Sequence, residues 1–279
     1  MRTLVHLSDL HFGRVDQTLI KPLTAQVRAI VPDVLVVSGD LTQRARSAEF
    51  IAARAFLDTL PTPQIVVPGN HDISLYNLYA RFMRPLAKYT RYITTDLQPF
   101  YLDDEIAVAG VNTARSLTIK DGRINDEQIQ QVHARFDQLP DGVVKIVVTH
   151  HPFDLPDHYG RHELVDRAPT ALETFAACGA DLLLAGHLHA THAGTTDANY
   201  PIAGYSALAV QAGTATSTRG RGEANSFNVI RIENVQIVIE RYSWNENRGA
   251  FDCIGDEHFK REGERWLPRE TRLIQAVPE

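Results

Sequence analysis

The sequence predicts an α/β protein with two sheets and helices outside them, and three observations carry that prediction. Short apolar runs recur through the first two-thirds of the chain, amphipathic stretches separate them, and the texture turns β-rich after about Tyr200. Leu4 to Leu7, Val34 to Val37, Ile65 to Val67, Ile106 to Val111, Val143 to Val148 and Leu182 to Leu184 read as buried strands, each a short continuous block of mostly branched aliphatics. Ile20, Leu23, Val27 and Ile30 recur at helical spacing and predict one apolar helix face; Ala53, Leu57 and Leu60 predict another. Pro169 and Gly179 mark the opening and close of a third helix. In the tail, Phe227 to Ile232 and Val235 to Arg241 flank Glu233-Asn234 and predict a hairpin.

The 279 residues are 44% hydrophobic and 22% charged, ordinary values for a chain able to bury a large core. No internal repeat, low-complexity tract or Gly/Ser linker divides it. It reads as one domain over residues 1–279, with residues 1–192 bearing the polar motifs and residues 193–279 forming a β-rich part that completes the second sheet. Cys178 and Cys253 are the only cysteines, which excludes a disulfide framework or thiolate metal site and fits a reducing compartment. The opening MRTLVHLSDLHFG is interrupted by Asp9 and His11 before a signal peptide's apolar run is complete, and no stretch approaches a membrane span. A cytoplasmic location is expected. A net charge of -6 with no basic stripe argues against duplex nucleic acid as a partner, so an anionic substrate has to be attracted locally.

The chemistry-bearing residues share one position relative to the predicted strands. Asp9 and His11 follow the first run, Asp40 the second, Asn70 and His71 the third, His150 the fifth, and His187 and His189 the sixth. Ligands of open α/β sheets sit beyond the carboxyl ends of strands, so these side chains converge on one rim. Glycines at 39, 69 and 186 punctuate the loops, where backbone has to pass close to a ligand. Imidazole, carboxylate and amide oxygen without sulfur suit Mn, Fe, Zn or Co, and seven donors among these eight residues exceed one tetrahedral site but suffice for two ions if a carboxylate is shared.

Asp9-Leu10-His11, Gly39-Asp40, Gly69-Asn70-His71-Asp72, His150 within Thr-His-His-Pro, and Gly186-His187-Leu188-His189 resemble, in order, the five motifs of the calcineurin-like metallophosphoesterases. The resemblance runs to about His192. It implies a four-layer α/β/β/α sandwich of two mixed sheets flanked by helices, and a hydrolase with two divalent metal ions. It further implies that Asp9, His11 and His189 hold one ion, Asn70, His150 and His187 the other, and Asp40 both. A bridging hydroxide would attack phosphorus in line while the catalytic His71 stabilises or protonates the leaving oxygen. Asp72 would orient His71. His151 would support the ligands or line the pocket, and His192 would do the same or touch substrate. Arg44 stands either to meet a phosphate or to form a surface ion pair.

Within the family the chain most resembles bacterial class III cyclic-nucleotide phosphodiesterases, which implies a small phosphodiester substrate. A phosphomonoesterase, a DNA nuclease of the same superfamily and a non-catalytic scaffold of the same fold are the alternatives; the complete motif set argues against the last. A homodimer is left open. His6 is expected to pack inside the first strand, and His133, His158, His162 and His258 are assigned to solvent or loops. Tyr76, Tyr79, Tyr89 and Tyr92, among arginines between Ser74 and Thr95, predict an amphipathic covering helix or a substrate lid. Specificity is expected there and in the segments 112–125 and 154–167.

Overall fold

A computed structural model describes residues 1–74, 78–116, 121–155, 163–218 and 223–273. Tyr76, His158, His162 and the basic pair Arg219 and Arg221 lie outside the described residues.

All six predicted runs are strands: β1 (Arg2–Leu7), β2 (Val34–Ser38), β3 (Gln64–Val67), β5 (Ile106–Gly110), β6 (Val144–Val148) and β7 (Leu182–Ala185). A short β4 (Phe100–Leu102) precedes β5. Alternation along these strands divides their side chains between two layers. On β1 and β2, Val5, Leu7, Leu35 and Val37 face one way, against Leu19, Leu23 and Val27 of α1 (Gln17–Ile30) and Phe50, Ala53 and Leu57 of α2 (Ser47–Leu57). Leu4, Val34 and Val36 face the other way, onto Ile106, Val108, Ile146 and Val148 of the second sheet. The back of that sheet, Ala107, Ala109, Val147 and Leu183, is covered by α5 (Asp126–Phe136) and α6 (Ala168–Ala177). Helix, sheet, sheet, helix is therefore the layer order, as expected.

With β8 (His192–Thr195), β9 (Tyr205–Ser206), β10 (Leu208–Gln211), β11 (Ser226–Glu233), β12 (Gln236–Asn245), β13 (Ala250–Glu262) and β14 (Glu264–Leu273), the first sheet runs β3-β2-β1-β11-β12-β13-β14-β9 and the second β4-β5-β6-β7-β10-β8. β1, β2 and β3 are parallel, as are β5, β6, β7 and β10, while antiparallel partners extend both groups. The predicted hairpin is present as β11 (Ser226–Glu233) and β12 (Gln236–Asn245).

Residues 193–279 do not simply complete the second sheet. β8 (His192–Thr195) and β10 (Leu208–Gln211) join it, but β11, β12, β13 (Ala250–Glu262) and β14 (Glu264–Leu273) extend the first sheet, because β11 pairs antiparallel with β1 from Arg2↔Ile232 to His6↔Asn228. β9 (Tyr205–Ser206) pairs with β14 at that sheet's far edge.

The covering segment also differs from a single helix. It forms α3 (Leu78–Met83) and α4 (Ala87–Tyr92), separated where Pro85 interrupts helical hydrogen bonding, and Tyr89 of α4 is fully buried in the first helical layer with its hydroxyl donating to the Val66 carbonyl at 2.9 Å. His133 and His258 are half-buried within α5 and β13 rather than in loops.

Candidate metal centre

The parallel strands deliver their C-terminal loops to one rim. After β1, Leu10 is fully buried in the core while Asp9 and His11 project beside it. Backbone bonds from Asp9 to the Gly39 carbonyl (3.2 Å) and from His11 to the Asp40 carbonyl (2.9 Å) stitch this loop to the one after β2. Thr214 and Thr216 hydroxyls cap it from the tail, each donating at 2.8 Å to the carbonyls of Asp9 and Leu10.

The backbone here is unusual. Among the described residues eight non-glycines have positive φ, and five of them are Asp9 (53°), His11 (48°), Asp40 (52°), His187 (74°) and His189 (58°). Such conformations cost on the order of 1–3 kcal/mol each and persist only where the surroundings impose them, characteristically at functional sites.

The seven donors form two adjoining groups. In the first, Asp9 Oδ1 lies 3.5 Å from His11 Nε2 and 3.2 Å from His189 Nε2, and the two imidazole nitrogens are 3.1 Å apart. In the second, His150 Nε2 lies 3.1 Å from Asn70 Oδ1 and 3.3 Å from His187 Nδ1. Asp40 stands between them, its Oδ2 3.7 Å from His11 Nε2 and 3.4 Å from His150 Nε2. Its Oδ1 accepts the His71 amide at 2.8 Å.

These spacings fit cation coordination. Two nitrogen or oxygen donors bound at about 2.1 Å and roughly 90–110° apart sit about 3.0–3.4 Å from each other. Buried Asp9 Oδ1, moreover, receives no hydrogen bond among the described residues. Asp9 and Asp40 are both buried, and the charges holding their pKa values down are those of histidines. Two dehydrated carboxylates so placed call for positive charge.

The electrostatics follow from that crowding. Burial alone would raise Asp40, but the facing His150, His71 and His11 hold it far below the usual carboxylate range. Burial would likewise lower His150, yet Asp40 and Asp9 push it up to about 9. Asp72 is raised to about 6 by burial and by the Asp40 charge.

Glycine is required at two approaches. A Cβ on Gly69 would lie 2.1 Å from Asp40 Oδ1 and 2.3 Å from the Asp40 amide nitrogen; one on Gly186 would lie 1.8 Å from Ser8 Oγ and 2.7 Å from Asp9 Oδ2. Ser8 earns its place by donating to Asp9 Oδ2 at 2.7 Å, which also accepts the His187 amide at 3.0 Å.

The remaining candidates fall into different positions. His71 is half-buried, its Nδ1 donating to the Gln43 carbonyl at 2.8 Å and its ring edge-on to His11 with centroids 4.9 Å apart. The Asp72 carboxylate does not orient that ring. It accepts the amides of Leu41 (3.2 Å), Thr42 (2.9 Å) and Gly69 (2.9 Å) and the Thr42 hydroxyl (2.9 Å), so it staples the Asp40 loop to the Asn70 loop. His151 is fully buried, with Nδ1 2.8 Å from Thr113 Oγ1 and its ring 4.7 Å from that of His187. His192 begins β8, paired with Gln211 and lying over Gly194 of its own strand. Arg44 is exposed, its amide donating to Glu49 at 2.8 Å.

Several contributors carry no motif. Glu163, Thr113, Thr214 and the carbonyls of Ser38 and Gln43 touch site residues from irregular segments or through the backbone. Ser8, immediately before Asp9, is the one a reader of the sequence could have found.

A family model for calcineurin-like phosphoesterases matches residues 2–191. The glycerophosphodiester phosphodiesterase GpdQ of Enterobacter lignolyticus (strain SCF1) is 24% identical over 216 residues, 67% of this chain and 74% of that protein. A probable cyclic nucleotide phosphodiesterase of Vesicomyosocius okutanii subsp. Calyptogena okutanii (strain HA) is 28% identical over 91 residues, 30% of this chain and 39% of that protein. Among solved structures, a dimetal phosphatase from Danio rerio shares the fold with a TM-score of 0.64 at 12% identity, covering 85% of this chain and 95% of that one. The five ordered motifs, the strand-end donors and the match over two-thirds of the sequence agree: this chain belongs to the calcineurin-like phosphoesterase family.

Proposed function

We propose that this chain hydrolyses a small phosphodiester with the help of two divalent cations, working as a single cytoplasmic domain. The observation that carries the reading is the convergence of seven oxygen and nitrogen donors with Asp40 at their centre, two of them buried carboxylates faced by histidines. In this reading Asp9, His11 and His189 hold one ion, Asn70, His150 and His187 the other, and Asp40 both. When bound, the pair supplies Lewis-acid charge at the phosphoryl oxygens and lowers the pKa of water enough for attack on phosphorus.

The protein's part is orientation. Ser8 and the His187 amide fix one oxygen of Asp9, leaving the other for the centre. The Ser38 carbonyl, 2.8 Å from His150 Nδ1, assigns the proton to that nitrogen and presents Nε2 inward. The Gln43 carbonyl does the same for His71, whose ring stands at the rim beside His11, where it contacts the phosphate or gives a proton to the departing oxygen.

The diester preference rests on the two phosphodiesterase relatives, and the net charge of -6 disfavours long nucleic acids as substrates. The test is turnover of bis(p-nitrophenyl) phosphate, p-nitrophenyl phosphate, cyclic AMP and glycerophosphodiesters by protein loaded with Mn, Fe, Zn or Co. Faster diester cleavage is expected; a strong monoester preference would convert the reading to that of a phosphatase.

A further inference from the structure

We infer that Glu163 is a positioning residue for the cation assigned to Asn70, His150 and His187, acting through the remote nitrogen of His187. The inference rests on the two-cation reading above. An imidazole binds a cation through one nitrogen, and what the other nitrogen meets decides where the proton resides, how the ring is turned and how strongly it donates. For His187 the two nitrogens have separate surroundings. Nδ1 lies 3.3 Å from His150 Nε2, inside the donor cluster, while Nε2 lies 3.4 Å from Glu163 Oε2.

A carboxylate at Nε2 keeps the proton on that nitrogen and leaves the Nδ1 lone pair directed at the centre. It also adds negative charge behind the donor. His150 is held from behind by a neutral carbonyl, that of Ser38, whereas His187 faces a full charge. The backbone alone does not set this ring. His187 sits at φ 74°, its amide is committed to Asp9 Oδ2, and its ring lies against those of His150 and His151, with centroids 5.1 and 4.7 Å away; Glu163 supplies the contact at the remote nitrogen.

Glu163 is in turn fixed by its neighbours in sequence. Val165 donates to the Pro152 carbonyl at 2.9 Å, and Asp166 donates to the Gly122 carbonyl at 2.8 Å, with Arg123 and Asp166 forming a bridge. The segment after β6 is thereby tied to the one after β5, and its acidic residue is set against a ligand histidine. With side-chain exposures of 20% for Glu163 and 9% for His187, the pair is largely shielded from water, so the charge is only partly screened. Cation binding and the placement of residues 163–166 are thereby coupled.

The test uses the full-length protein freed of metal by chelation, with Mn²⁺ as the probe in calorimetric titrations of wild type, Glu163→Ala and Glu163→Gln. Glu163→Ala should weaken one of the two Mn²⁺ sites by about 10–100-fold and leave the other unchanged. Glu163→Gln, close in shape and able to accept a hydrogen bond without the charge, should fall between, and it guards against a variant that fails to fold. Long-range ¹H–¹⁵N spectra of the metal-free proteins should show His187 protonated at Nε2 in wild type and as a tautomer mixture in Glu163→Ala. Wild-type affinity at both sites in Glu163→Ala would overturn the assignment, as would equal weakening of both, which marks a general structural role. A wild-type protein that takes up fewer than two Mn²⁺ would overturn the two-cation reading itself, and this assignment with it, before any variant is compared.

Discussion

Gly69→Ala places one methyl group where the shared carboxylate has to be. The added carbon would lie 2.1 Å from Asp40 Oδ1 and 2.3 Å from the Asp40 amide nitrogen. Ordinary contact is about 3.4 Å or more between such atoms, so relief requires the carboxylate to move by roughly 1.3 Å. Coordination tolerates donor displacements of only about 0.2 Å, so the shift exceeds tolerance severalfold and both ions lose a common ligand. The assay is metal content after equilibration with Mn²⁺, alongside circular dichroism and thermal unfolding. We expect a folded protein of lowered Tm that retains fewer than one ion per chain. Gly142→Ala is the control, since a carbon there meets nothing nearer than 3.9 Å and the residue is not at positive φ; it should bind like wild type. If Gly69→Ala bound two ions with wild-type affinity, the placement of Asp40 at the centre would be wrong.

Other perturbations separate the remaining roles. His71→Ala should keep both ions yet lower turnover by about 10²–10⁴-fold, measured by metal analysis and initial rates on one sample; loss of metal would refute a leaving-group role. His6, fully buried and pushed down to about 3 by burial, makes folding pH-dependent. The unfolded chain binds the proton first, so stability is complete above about 6.5 and falls by about 1.4 kcal/mol per pH unit below it, or about 2 kcal/mol by pH 5. His6→Gln should flatten that part of the urea-unfolding profile, and an unchanged slope would contradict it. Trp266→Phe removes the indole that donates to buried Asp181 at 2.8 Å and should cost about 1–3 kcal/mol in urea unfolding; no change would mean that hydrogen bond contributes nothing.

The sequence disclosed this protein unevenly, for physical reasons. β1, β2, β6 and β7 were legible because central parallel strands are buried on both faces and therefore read as unbroken aliphatic runs. α5 was overlooked although it carried a start signal: Asn125 accepts the Gln128 amide at 2.8 Å and the Gln128 side chain accepts the Asn125 amide at 3.1 Å, a capping box open to a reader of the sequence. The attachment of β11 to β1 had no such signal, since pairing between Val5 and Val229 is decided by which face each strand has to bury and not by local residues. The same division holds at the site. The donor residues announced themselves at strand ends, whereas Glu163 and Thr113 act from irregular segments whose paths no periodicity encodes. Asp72 shows the limit of motif reading: its place beside His71 suggested a partner for the ring, but the turn it closes directs its carboxylate to Leu41, Thr42 and Gly69.

The most direct test of the central claim is a count of cations bound per chain in wild type and Asp40→Asn, by elemental analysis of dialysed protein with diester turnover measured on the same samples. If Asp40 joins the two donor groups, wild type carries two ions and Asp40→Asn, of nearly the same shape but without the charge, loses both occupancy and turnover. A variant that still carries two ions and cleaves the diester normally would contradict it.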